Sequence, residues 1–205
     1  MRGLLYLAWR YLAYHRIKTT VLVASITLIL YMPSGLRVLV RQSQHQLTTR
    51  AESTPLLVGS KGSPLELVLN GAYFTSKVPD LMPYGEVSTI AQTTLANAIP
   101  LYVRFHAQKA PIVGTNLDYF DFRGLRIQSG RQMAHLGDCV VGAELARQRG
   151  IVPGDAIISS PEKVFDFAGV YPLKMRVTGI LEFSDSPDDE AIFVDIKTAW
   201  IIEGM

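Results

Sequence analysis

The first 54 residues and the rest of the chain follow two different patterns. From Thr19 to Leu36 the sequence TTVLVASITLILYMPSGL carries no charged side chain, and about 20 residues is the length a helix needs to cross the hydrocarbon of a bilayer. The pattern predicts a transmembrane helix over 19–40. Before it, Leu4, Leu5, Ala8, Tyr11 and Leu12 recur at three- and four-residue spacing. That spacing predicts an amphipathic helix over 1–18, lying in the interface with Trp9 and the tyrosines at headgroup level. After the span, Arg37 to Thr49 reads as a polar helical extension, with Leu39, Val40 and Leu47 separated by Gln, Ser and His. Residues 41–54 form a linker of this kind.

From Pro55 onward short apolar runs alternate with Gly and Pro, the pattern of one mixed domain of strands and short helices over 55–205. Expected strands are Pro55 to Val58, Ile99 to His106, Pro111 to Thr115, Cys139 to Val141, Ala156 to Ser159, Leu173 to Leu181 and Ala191 to Val194. Expected helices are Pro64 to Ala72 and Tyr84 to Gln92, the latter with Val87, Ile90 and Ala91 inward. Leu117 to Phe122 reads as one turn capped by Asp118 within an aromatic cluster. Ala143 to Gln148 is a short helix stopped by Gly150. Ser184 to Glu190 reads as a solvated hairpin tip between the last two strands. About 150 residues suffice for one core, so the fold class is α+β, one extracytoplasmic domain behind a membrane helix.

Charge adds a direction. No Asp or Glu precedes Glu52, whereas Arg2, Arg10, Arg16 and Lys18 lie before the apolar run and Arg37, Arg41 and Arg50 after it. The first group, with His15, favours a cytoplasmic N-terminus, which the second group partly offsets. Arginines interleaved with Leu, Tyr and Trp are not a nucleic-acid-binding block. Hydrophobic residues make up 48% of the 205, and a mean hydropathy of +0.19 is high for a soluble domain. A cleavable signal is the competing reading. Against it stand the long amphipathic prelude and the lack of a small-x-small site closing the run, which passes through Met32, Pro33 and Gly35. Pro33 and Gly35 are tolerated where neighbouring helices satisfy freed backbone groups. The lone Cys139 forms no internal disulfide.

Candidate chemistry is sparse. Gly59-Ser-Lys-Gly lacks the glycine loop and Lys-Ser/Thr step of a phosphate cradle, and no G-x-G-x-x-G or G-x-S-x-G occurs. His15, His45, His106 and His135 share no metal-ligand spacing. Asp185, Asp188, Asp189 and Glu190 offer oxygens, but their spacing differs from a calcium loop and Pro187 stiffens the turn. Cys139 heads an apolar strand, the setting of a buried, inert thiol. The sequence assigns no catalytic, cofactor or metal residue.

The stretch GRQMAHLGDCVVGAELARQRGIVPGD resembles the MacB and FtsX family of transporter permeases. It carries Gly130-Arg131, a strand into Gly142 and Glu144, a short helix to Gly150, and Pro153-Gly154-Asp155. LLVGSKGSPLELVLN (Leu56 to Asn70) and SPDDEAIFVDIKTAW (Ser186 to Trp200) look like further stretches of that family. The resemblance implies a non-enzymatic inner-membrane permease with a periplasmic core domain. It also implies a separate cytoplasmic ATPase subunit, a second permease copy as homodimer or heterodimer, and a periplasmic adaptor or lipoprotein as a further partner. Cargo would be lipoproteins, peptides or drugs. Such permeases continue into a stalk and three more membrane helices, while nothing after Val40 here is apolar enough to span. The expectation is therefore either the N-terminal portion of a longer permease or a reduced protein, with a membrane-anchored binding or sensor domain as the alternative function.

Overall fold

A computed structural model describes residues 2–52, 54, 56–75, 78–160 and 172–204. The chain divides into two compact units, Met1–Ser53 and Thr54–Met205.

The first unit is helical. Helix α1 (Arg2–Tyr14) and helix α2 (Arg16–Glu52) are separated by a turn at His15, whose ring meets Tyr11 and Tyr14 edge-on at 4.8 and 5.0 Å. Arg16–Val38 is long and apolar enough to cross a membrane, and none of its hydropathic window is buried within the structure. A core helix of a soluble protein would be covered. The hydroxyls of Thr20, Ser25, Thr27 and Ser34 donate to the carbonyls of Arg16, Val21, Val23 and Leu30 within α2, and that of Thr19 to the Leu12 carbonyl of α1, so these hydroxyls are satisfied by backbone, as an apolar solvent requires. Pro33 lies inside α2 and removes one backbone donor from its ladder. Beyond Val38 the helix continues to Glu52, roughly 20 Å at 1.5 Å per residue.

The second unit is built on a seven-stranded mixed sheet. Its strands are β1 (Tyr102–Ala107), β2 (Ala110–Thr115), β3 (Ile127–Gly130), β4 (Asp138–Val141), β5 (Ala156–Ile158), β6 (Lys174–Leu181) and β7 (Ile192–Asp195). The order is β1-β2-β7-β4-β6-β3, with β5 also paired to β6. The β2–β7 and β4–β6 pairs are parallel; β1–β2, β7–β4, β6–β3 and β6–β5 are antiparallel. A bridge from Ser160 N–H to the His106 carbonyl, 2.7 Å, joins the segment after β5 to β1, so the sheet curls toward closure.

Alternation along the strands divides the core in two. Cys139, Val141, Ile192, Val194, Ile112 and Met175 face one side, with Ala199 and Ile202 of helix α7 (Ile196–Glu203) and Leu145 and Ala146 of helix α6 (Ala143–Arg149). Val140, Phe193, Val113 and Leu181 face the other, beneath Tyr119 and Phe120 of helix α5 (Asp118–Arg123) and Phe74. All four residues of β4 are buried, which is why that strand reads as a short continuous apolar run. Gly114 of β2 packs on Ala199, leaving α7 close to the sheet.

Helix α3 (Pro64–Tyr73) begins with Ser63 accepting from Glu66 N–H and with Pro64 in the first turn, the residues that start helices best. Asn70 at its buried end donates to the Val103 carbonyl at 3.1 Å. Helix α4 (Gly85–Gln92) has no buried residue. Its expected inward face is therefore corrected: Val87 and Ile90 are half-buried and Ala91 is exposed, while Tyr84 just before it meets Trp200 of α7 edge-on at 5.0 Å.

Three other expectations change. Residues 56–58 are not a strand, and Pro55 lies outside the described residues. Asp118 does not cap α5: the cap position is Leu117 without a side-chain bond, and Asp118 instead accepts from Asn116 at 2.8 Å. The acidic stretch before β7 is not a hairpin tip, because β6 and β7 are not neighbours; β4 lies between them. The chain crosses the end of β4 as a 3-10 turn, Pro187–Glu190, with Asp188 and Asp189 buried.

That crossing requires Gly142. A Cβ built there would overlap the carbonyl oxygens of Asp188 and Asp189, both backbone atoms with little room to move. Gly142→Ala should therefore cost on the order of 3 kcal/mol or more, whereas Gly62→Ala, where the added methyl meets nothing, should stay within about 0.5 kcal/mol. Urea unfolding of the full chain in detergent measures both; equal midpoints would show that the crossing does not pass over Gly142.

Candidate functional site

The polar residues that the sequence singles out gather at three corners of the domain. Each corner can be built from its residues upward.

At the crossing, Ser186 starts the 3-10 turn with a capping box. Asp189 accepts from Ser184 N–H at 3.0 Å and from Ser186 N–H at 3.2 Å. Asp188 accepts from the Tyr119 hydroxyl at 2.7 Å and from the Ser186 hydroxyl at 2.9 Å. Buried carboxylates need such partners. These two are 1% and 3% exposed, while Asp185 and Glu190 are exposed, so the four acids do not converge on one point. Among the described residues no group of three or more His, Cys, Asp or Glu is placed to hold a metal ion.

At the second corner Asp138 opens β4. It accepts from the backbone N–H groups of Ala134 and His135, at 3.2 and 3.1 Å, and from Arg131 at 3.2 Å. Burial pushes its carboxyl upward, but those donors and the Arg131 charge outweigh it and hold the group below the ordinary carboxylate value. Gly130, at φ +85, has no room for a Cβ beside the Thr178 carbonyl. The Gly130-Arg131 step thus turns the chain from β3 into a loop clasped by Asp138. The neighbouring Cys139 is fully buried and its thiol is pushed up to about 12, chiefly by burial and secondarily by Asp138, which suits packing and not nucleophilic attack.

The third corner follows α6. Gly150 caps that helix in the left-handed region, and the Asp155 carboxylate accepts from Val152 N–H at 2.9 Å, closing the Pro153-Gly154 turn. Glu144 pairs with Arg147 at 2.8 Å on the exposed side of α6. These side chains border an open groove of about 600 Å³ floored by Ala143, Ala146, Ile151, Ile180 and Phe183. Its lining offers shape and one ion pair, with no nucleophile and base in register.

At the β1 edge of the sheet, Glu203 at the end of α7 accepts from Tyr102 at 2.6 Å and from Arg104 at 2.7 Å. Burial and the Glu203 carboxylate raise the Tyr102 pKa. This pair was not legible in the sequence, since the partners lie about 100 residues apart and α7 carries no strong helix signal. His106 and His135 are exposed and well separated along the chain.

Gly130, Asp138, Gly142, Gly150 and Asp155 therefore fix turns, a crossing and a cap around one mixed sheet, and a helix long and apolar enough to span a membrane precedes the sheet in the chain. That combination is a mixed-sheet domain preceded in the chain by a candidate membrane helix. The model of the MacB-like periplasmic core domain matches residues 20–204, and the chain belongs to that family.

Three solved structures are similar. The extracellular domain of the noncanonic ABC-type transporter YknZ from Gram-positive bacteria is 14% identical, with a TM-score of 0.39 over 52% of this chain and 58% of that one. The periplasmic region of MacB from Actinobacillus actinomycetemcomitans is 15% identical, with a TM-score of 0.43 over 56% and 55%. A domain of a putative permease protein from Porphyromonas gingivalis is 16% identical, with a TM-score of 0.34 over 48% and 44%. The chain spans a little over half the length of the first two. No curated protein matches it.

The second corner gives a pH test. Because the folded pKa of Asp138 lies below its unfolded value, its contribution is complete above the ordinary carboxylate pKa of about 4 and is lost as pH falls through the lower folded value. The stability gap between the native chain and Asp138→Asn should be full at neutral pH and close progressively below about pH 4. At the first corner, Tyr119→Phe should cost about 1–3 kcal/mol by leaving Asp188 short of a donor, read by thermal melting at pH 7.

Proposed function

We propose that this chain is the N-terminal portion of a permease subunit of a MacB/FtsX-type ABC transporter. It works with a separate cytoplasmic ATPase and a second permease copy, and passes ATP-driven movement across the inner membrane to export or extract lipoprotein, peptide or drug-like cargo. The observation that carries this reading is the family match from residue 20 to 204, which takes in the apolar helix as well as the domain. In this arrangement 1–18 lies in the cytoplasmic interface, 19–40 spans, 41–54 extends the span, and 55–205 is the periplasmic core. The basic residues before the span sit against anionic lipid heads.

The continuity of α2 supports the mechanical part. One helix of 37 residues runs from Arg16 to Glu52, and an unbroken helix carries rotation and translation along its axis where a flexible linker would dissipate them. The groove beside α6 favours a second reading, in which the anchored domain binds a partner or ligand without driving transport.

Two measurements separate these readings. Co-purification of the full-length gene product with an ATPase encoded beside it, and stimulation of that ATPase in nanodiscs, are expected for the permease. A gene product that ends at Met205 and binds no ATPase contradicts it. Within the permease reading, two glycines inserted after Gln42 should reduce cargo export at least tenfold while leaving ATPase assembly intact; unchanged export would show that α2 is not the lever.

A further inference from the structure

Thr54 is the first residue described after α2, and it is held from within the domain. Arg123, the last residue of α5, donates from Nη2 to the Thr54 hydroxyl at 2.8 Å across 69 positions of sequence. Its guanidinium lies over two rings, 5.1 Å from the centre of Phe122 and 5.8 Å from that of Tyr119, distances at which a cation is attracted to the ring face.

Tyr119 is itself immobilised. It is 1% exposed, its ring packs against Phe193 of β7 at 5.6 Å, and its hydroxyl is bonded to buried Asp188. The end of α5 is fixed by Gly124 in the left-handed region, whose N–H returns to Asp121 and Phe120. A continuous series of contacts therefore runs from Thr54 through Arg123 and Tyr119 to Asp188 and the crossing over Gly142.

What the Arg123 position uses is a cation placed over two aromatic rings that also offers a donor to Thr54. Lysine has the charge without the plane, and an apolar side chain has neither.

We infer that Arg123 is a mechanical joint, locking the residue at which the chain enters the domain to the core of that domain. Displacement delivered to Thr54 is then shared by α5, β7 and the acidic crossing instead of being lost before it reaches them. The inference rests on the reading above that α2 delivers movement, and it concerns contacts internal to the second unit.

Paired spin labels on the full chain in nanodiscs test it without any transport assay. Leu56→Cys and Lys197→Cys, both exposed positions, take the labels, while Cys139 is fully buried and stays unlabelled. The native side chain should give a narrow distance distribution. Arg123→Ala and Thr54→Val should each broaden it at least twofold, and Arg123→Lys should fall between, with amide exchange of β4 and β7 unchanged in every variant. An unbroadened distribution in Arg123→Ala overturns the inference. So does full retention of the narrow distribution in Arg123→Lys, or exchange in β4 and β7 at least tenfold faster in Arg123→Ala, which would make Arg123 a residue of the fold. Because no ATPase is present, these outcomes leave the permease reading to stand or fall on its own test.

Discussion

The domain depends on burying two carboxylates at the end of its central strand. Asp188 and Asp189 sit under the protein surface, where an unpaired charge costs several kcal/mol, so their partners are obligatory. Those partners are spread through the molecule: Tyr119 in α5, Ser184 after β6 and Ser186 at the head of the turn. Satisfying them places the chain across β4 and delivers β7 into the slot between β2 and β4. Gly142 supplies the space and donates to the Ala191 carbonyl at 2.9 Å. Remove the crossing, and the sheet has no route by which its sixth and seventh strands flank its fourth.

The same interaction shows how far the sequence could be read. Val140 and its neighbours, the Ser63-Pro64 helix start, the Gly150 stop and the unbroken apolar run were legible because each is decided by residues within a few positions of one another. Most strand positions from β1 onward followed for that reason. The acidic turn was misread because local composition makes Ser-Pro-Asp-Asp-Glu look solvated. Its burial is decided by Tyr119, 69 positions away, and by a strand order that no local pattern encodes. Strand β3 was missed because Ile127–Gly130 is short, polar and mostly exposed, and α7 because β7 runs into it without a break. Of the motif residues, the turn roles of Gly142 and Asp155 could be anticipated. The Arg131–Asp138 clasp, the Tyr102–Glu203 pair and the Arg123–Thr54 bond could not, since each depends on tertiary proximity.

These corners also account for the kind of protein this is. The two buried aspartates and the clasped arginine hold turns and a crossing, and the buried thiol packs in the core. Helix α2 continues beyond the apolar run to Glu52. The family relationship joins the two, since it extends over both.

The proposed arrangement puts the N-terminus in the cytoplasm and the mixed-sheet domain outside it, on either side of the apolar helix found among the described residues. Labelling of intact cells with a membrane-impermeant maleimide tests it most directly, using Gly3→Cys and Gln148→Cys as single reactive thiols beside the buried Cys139. The account expects Gln148→Cys to label in intact cells with the outer envelope opened, and Gly3→Cys to label only after the inner membrane is disrupted. Labelling of Gly3→Cys without disruption, or protection of Gln148→Cys until disruption, would contradict it.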